Sequence, residues 1–126
     1  MTSGRVAGES FSRDDRLRKR REFEECYASG VRVSGRFLQL FVNWKSAPPG
    51  ARLGISIPRR AGKAVIRNRL RRRIREIFRR NRALLGEAKL DLVIQCRPQA
   101  ANASFPQLLE DYSDSIARAR KRRARL

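Results

Sequence analysis

Apolar spacing along this chain predicts an α+β fold, a small two-layer α-β-β-β-α-β-α sandwich in which helices cover a sheet. Three observations carry that expectation. Strand-type runs crowd together between residues 31 and 57, and a long amphipathic helix follows directly. A buried-type strand at 91–96 then precedes a last helical segment. No internal repeat or linker interrupts this order. The 126 residues read as one domain, long enough to bury roughly two-thirds of the unfolded surface.

Residues 1–12 are small and polar, and a flexible segment is expected there, ahead of a domain over 13–120 and a basic tail at 121–126. A helix is predicted over 19–29, with Gly30 as its C-terminal stop. Residues 31–34 and 36–45 read as strands, the second rich in Phe, Leu and Val. On that second strand Phe37, Gln39, Phe41 and Asn43 share one face, and Leu38, Leu40, Val42 and Trp44 share the other. The latter set reads as the more buried. After the turn sequence Ser46-Ala47-Pro48-Pro49-Gly50, residues 52–57 alternate into a third strand that Pro58 ends. A helix over 62–82 and a connector containing Gly86 come next, then the strand at 91–96, closed by Arg97-Pro98. The last helix starts from Ser104, an N-cap with Gln107 at its third position, and runs into the basic tail.

Charge narrows the function. The 31 Lys and Arg against 12 Asp and Glu leave a net +19. That excess predicts salt-sensitive attraction to phosphate, on nucleic acid or on an anionic membrane. No apolar run approaches the ~20 residues of a membrane span. The N-terminal MTSGRVAGES lacks the apolar region of a signal peptide, and a cytoplasmic location is expected. Cys26 and Cys96 are far apart with no CxxC, which fits two reduced, buried thiols.

The stretch GKAVIRNRLRRRIREIFRRNR, residues 62–82, holds ten Lys or Arg and one acid, Glu76. At 100° per residue Ile66, Leu70, Ile74, Ile77 and Phe78 fall within an arc of about 120°, the core-facing stripe. Asn68, Arg72, Arg75 and Arg79 form a ridge opposite, with Arg69, Arg73 and Arg80 beside it and Glu76 within reach of Arg72 or Arg80. Lys63, Arg67 and Arg69 crowd the positive end of the helix dipole with no acid nearby, a local conflict of the kind that marks functional sites. Nine of the ten basic residues are Arg, whose guanidinium forks onto phosphate and stacks on bases. A membrane-binding helix would keep its apolar face free for lipid. Here the sheet takes that face, so nucleic acid is the better partner.

The residue inventory excludes most catalysis. There is no histidine, and two scattered cysteines cannot build a structural zinc site. No Walker A loop or GxGxxG occurs. The acids Asp14-Asp15, Glu22 with Glu24-Glu25, and Glu110-Asp111 with Asp114 sit mostly among basic residues at helical spacing and read as ion-pairing groups. The chain reads as a binder.

The run RLGISIPRRAGKAVIRNRLRRRIREIF closely resembles the signature region of the bacterial ribonuclease P protein subunit. The family pattern is a strand ending in basic residues, then G-x-A-V-x-R-N-R, then basic-apolar turns ending in R-E-x-F. RLRKRREFEECYASG is similar to the family's first helix, and LDLVIQCRPQA to its last strand and the turn beyond. The resemblance implies a cytoplasmic ribonucleoprotein subunit that assists removal of the 5′ leader of precursor tRNA. It implies that the RNA subunit performs the hydrolysis with bound Mg2+, with no metal on the protein, no membrane and no obligate protein partner. It also implies a left-handed βαβ crossover and a fold like that of a ribosomal protein domain. Carried onto this sequence, Arg59, Arg60, Lys63, Arg67, Asn68, Arg69, Arg72, Arg75 and Arg79 are expected against the catalytic RNA. Phe23 and Tyr27 match an aromatic pair in a cleft for the single-stranded leader, where stacking would be sequence-tolerant.

Read from the residues alone, Phe23, Cys26 and Tyr27 are instead the core stripe of a helix. Phe37 and Phe41 are secondary leader candidates, and an aromatic is frequent in the family where Leu40 stands. A ribosomal or other structural RNA-binding protein would share the charge, the size and the lack of catalytic groups. An architectural DNA-binding protein would lack the dimerisation heptad or helix-turn-helix spacing it needs, and a stand-alone nuclease its acid–base groups.

Overall fold

The computed structural model describes residues 15–46 and 50–125. The expected flexible segment at 1–12 and the middle of the Pro-Pro turn lie outside the described residues. Helix α1 (Arg20–Ser29) is followed by strands β1 (Val31–Ser34), β2 (Leu38–Lys45) and β3 (Gly50–Ser56). Helix α2 (Ala64–Arg80), strand β4 (Lys89–Cys96) and helix α3 (Phe105–Ala124) complete the chain. The sheet order is β1-β2-β4-β3, with β3 and β4 parallel and the other pairs antiparallel. A parallel pair needs a crossover, and α2 supplies it.

Register explains the core. Leu38, Leu40, Val42 and Trp44 partner Cys96, Ile94, Leu92 and Leu90, so these side chains share one face. Against it pack Leu70, Ile74, Ile77 and Phe78 of α2, the expected stripe, with Leu108, Tyr112 and Ile116 of α3. Ile66 is only half-buried, since its side chain lies over Gly62 at the helix entrance. Helix α3 begins as its sequence predicts: Gln107 N donates to Ser104 Oγ at 3.2 Å, and Ser104 N to Gln107 Oε1 at 2.9 Å.

Two expectations need correction. β2 starts at Leu38 rather than 36, because Asp111 of α3 accepts the backbone N–H groups of Arg36, Phe37 and Leu38, each at 2.9 Å. This bends residues 35–37 out of the strand. Phe37 therefore leaves the alternation and packs into the main core, under the Arg36 guanidinium. The third strand, expected over 52–57, spans Gly50–Ser56, because its parallel pairing with β4 runs from Gly50 beside Lys89 to Ser56 beside Gln95. The last helix runs into the basic tail, α3 staying helical to Ala124. Its side chains fold onto the outer strand: Arg118 donates to the Ser34 carbonyl at 3.1 Å and Arg122 to that of Arg32. Arg123 lies over the Trp44 ring.

α1 occupies the other face of the sheet and covers one end of it. Cys26 is its single buried residue, in a second apolar cluster with Leu17, Phe41 and Val93. Among the described residues no other helix covers that face.

Candidate nucleic-acid interface

Gly62, at φ +142°, sits between the short turn Arg59–Ala61 and α2, a backbone conformation that side chains rarely adopt. Lys63 is the N-cap of α2, yet no side chain caps the helix and its first turn holds no acid. The helix's own first turn thus offers nothing to compensate the positive end of the dipole. Arg67 folds back, Nε donating to the Gly62 carbonyl at 3.0 Å, and Arg71 Nη1 donates to Asn68 Oδ1 at 3.3 Å. Arg59, Arg60, Lys63, Asn68, Arg69 and Arg72 are exposed, and Arg67, Arg75 and Arg79 are half-buried. Val65, in the middle of the motif, is 72% exposed, a large apolar residue that periodicity assigns no task.

Of the two partners expected for Glu76 it takes Arg80, at 2.5 Å, and it adds Arg79 at 2.6 Å. The Arg79 hydrogen bond, with both guanidinium charges, holds the Glu76 carboxyl below its usual range. Arg79 is therefore partly neutralised within the ridge, while Arg69 and Arg72 are exposed. Burial, then the nearby Arg16 and Arg71, draw Arg75 below the ordinary arginine value.

The aromatic residues meet on the opposite side of the sheet. Tyr27 and Phe41 stand edge to face with ring centroids 4.8 Å apart. Phe41 is buried and Tyr27 is 38% exposed. Phe23 lies half-buried one helical turn away, over Gly54 of β3, where an added Cβ would come within 2.7 Å of its ring. The sequence alternatives for this helix thus divide: Cys26 is core, whereas Phe23 and Tyr27 border the open face. Leu40 faces the main core, and Phe41 supplies the strand's aromatic here. Phe37, expected as a companion, is in the other core and joins none of them.

An ion network fixes α1 over this patch. Buried Asp91 of β4 receives Arg52 through Nε and Nη2, both at 3.0 Å, and Lys45 at 3.1 Å. Arg52 Nη1 reaches Glu22 of α1 at 2.8 Å. Burial opposes ionisation of Glu22, but the N–H groups of Lys19 and Arg18 together with Arg52 outweigh it and hold the carboxyl low. Burial pushes the Cys26 thiol up to about 11 and the Cys96 thiol to about 12, so both are unreactive.

Ridge and patch share an edge: Phe23, Arg16, Arg71 and Arg75 line one cavity of about 100 Å³. Among the described residues no three His, Cys, Asp or Glu side chains gather as a metal site. Among the described residues, Asp15, Asp91 and Glu76 face guanidinium groups instead. No helix among the described residues is long and apolar enough to cross a membrane.

Known proteins share this fold. The family model described as Ribonuclease P matches residues 11–120. The ribonuclease P protein component of Acidothermus cellulolyticus is 34% identical over 104 residues, covering 82% of this chain and 86% of that protein. That of Thermotoga maritima is 38% identical over 86 residues, covering 68% and 72%. The solved RNase P protein of Thermotoga maritima superposes with a TM-score of 0.72 at 30% identity, over 82% of this chain and 96% of that one. For the Staphylococcus aureus RNase P protein the TM-score is 0.75 at 26% identity, over 83% and 94%. A motif-bearing helix, an aromatic patch, a shared topology and relatives along most of the length agree, and the chain belongs to the ribonuclease P protein family.

Proposed function

We propose that this chain binds the catalytic RNA of a ribonuclease P through the α2 ridge and holds the 5′ leader of precursor tRNA in the α1–sheet cleft. Hydrolysis belongs to the RNA, which supplies the Mg2+ chemistry. The protein's own part is to bind, to orient and to lower repulsion between two polyanions. One observation carries the reading: the basic ridge of α2 and the Phe23–Tyr27–Phe41 patch border each other where Arg71 and Arg75 meet Phe23. A strand leaving the RNA surface can pass directly onto aromatic faces. Work in the cytoplasm on precursor tRNA accords with the two free, buried thiols.

The test is cleavage of precursor tRNA by the cognate RNA, with and without this protein, across Mg2+ concentrations. The protein should increase cleavage most at low Mg2+, where its +19 replaces screening by metal. Protein alone should cut at no Mg2+ concentration. Cleavage by a nuclease-free preparation without RNA would overturn the division of labour. A purely structural RNA binder would bind the RNA and leave the low-Mg2+ rate unchanged.

A further inference from the structure

Three large apolar side chains are exposed among the described residues, and two of them, Tyr27 and Leu84, keep more than half of their surface covered. Val65, the second residue of α2, keeps little more than a quarter covered. At 100° per residue it stands roughly 160° from the Leu70–Ile74–Ile77–Phe78 stripe, so the core has no use for it. It belongs to the ridge instead. Arg69 stands one turn further on and Arg72 two turns, about 6 Å and about 10 Å along the axis, with Asn68 beside them. All three are exposed.

Helix physics does not ask for valine at this position. An acid would suit the dipole, and alanine would suit the helix better than a β-branched residue. Its methyl groups meet water where the fold gains nothing from them. A local choice that the fold does not require points to a partner.

The neighbours say which partner. A protein or lipid surface would need a contiguous apolar area, whereas Val65 is bordered by cations. RNA matches both features. Phosphates take the cations, and between successive phosphates a strand carries a base whose face is apolar. Stacked, paired bases hide that face, so the base is unpaired or ends a duplex. A valine in a helix holds one χ1 rotamer and gives up little freedom on contact.

We propose that Val65 packs against the face of one unpaired or duplex-terminal base of the catalytic RNA, while Arg69 and Arg72 take neighbouring phosphates. The inference rests on the ridge being the RNA surface and adds to it an apolar contact that salt does not weaken. Charge then brings the RNA to the ridge, and Val65 selects a fold of the RNA that leaves a base uncovered there.

The experiment is binding of the full chain to the ribonuclease P RNA alone across salt concentrations, with chemical probing of unpaired bases in the complex. Val65→Thr keeps the shape and β-branching and replaces one methyl by a hydroxyl. It should weaken binding roughly three- to tenfold, the range for one or two buried methyl groups, by the same factor at every salt concentration. The slope of log K against log salt and the Tm should not move, and one base protected by the wild type should become reactive. Val65→Lys should steepen the slope yet bind more weakly than the wild type at high salt, where added charge is screened and lost packing is not. Wild-type affinity in Val65→Thr would overturn the proposal, as would tighter binding by Val65→Lys at high salt. So would an unchanged pattern of base protection, or a slope that shrinks in Val65→Thr and makes Val65 a support for the arginines. Salt-independent binding by the wild type would instead overturn the ridge reading, and this contact with it.

Discussion

On α2, Arg69 and Arg72 project from a helix whose opposite face is locked in the core, so their side chains carry none of the packing. Around α1 the reverse holds: Phe23, Tyr27 and Phe41 are themselves the contact between helix and sheet. The ridge gives up conformational freedom only when a polyanion arrives, and its attraction is set by charge and salt. The patch is organised beforehand, and its performance is set by geometry. On the proposed reading, one chain offers a tunable electrostatic surface and a rigid stacking surface side by side.

The strongest way to break the rigid side is through its anchor. Asp91→Ala leaves Arg52 and Lys45 without their buried carboxylate and should cost about 3–5 kcal/mol of folding stability, read by denaturant unfolding. A loss below ~1 kcal/mol would show that α1 docks without the network.

Next come the rings. Phe23→Ala and Tyr27→Ala should each weaken precursor-tRNA binding by about 1–3 kcal/mol for every base that no longer stacks, with no change for mature tRNA. The two should differ in stability: Tyr27 is partly exposed, so its removal should scarcely lower Tm, whereas Phe23 packs on Gly54 and should lower it visibly. Gly54→Ala sharpens the distinction, because the new methyl must expel the Phe23 ring without removing it. Leader-specific affinity should fall as in Phe23→Ala.

On the electrostatic side, Arg69→Ala with Arg72→Ala should weaken binding to the catalytic RNA. The slope of log K against log salt should shrink by about one for each phosphate that the variant no longer neutralises. Tm and the precursor-to-mature affinity ratio should stay put. If that ratio fell as well, the two surfaces would act as one.

The smallest effect is on pH dependence. Glu22 has a lowered folded-state pKa, so its contribution is complete above the ordinary carboxylate range and is lost as pH falls through the lower folded value. Glu22→Gln should flatten part of the acid limb of a stability-versus-pH curve and leave neutral-pH RNA affinity unchanged.

Much of this architecture is legible in one dimension because it rests on local periodicity. β1, the α2 stripe and the Ser104–Gln107 cap follow from spacing alone. What escapes is everything fixed by a distant partner. The bend at Phe37 depends on Asp111, more than seventy residues away, and no strand alternation can register it. Glu76 had several arginines within helical reach, and rotamer packing rather than spacing chose Arg79 and Arg80. Gln39 and Gln95 become neighbours only in the sheet register. The basic ridge was readable as a conflict with the helix dipole, whereas the division of α1 between core Cys26 and cleft-lining Phe23 and Tyr27 needed the incomplete cover that α1 gives the sheet.

The guanidinium groups of Arg118 and Arg122 on the carbonyls of β1 have a consequence beyond RNA. β1 is an outer strand, and its free backbone groups would template pairing with a second chain. Cations laid along that edge fill its acceptors and repel an approaching copy with the same +19. Part of the positive charge at the end of α3 thus serves solubility. Removing the chain from Arg118 onward should make the protein prone to self-association at low salt, visible by light scattering, before its affinity for RNA changes appreciably.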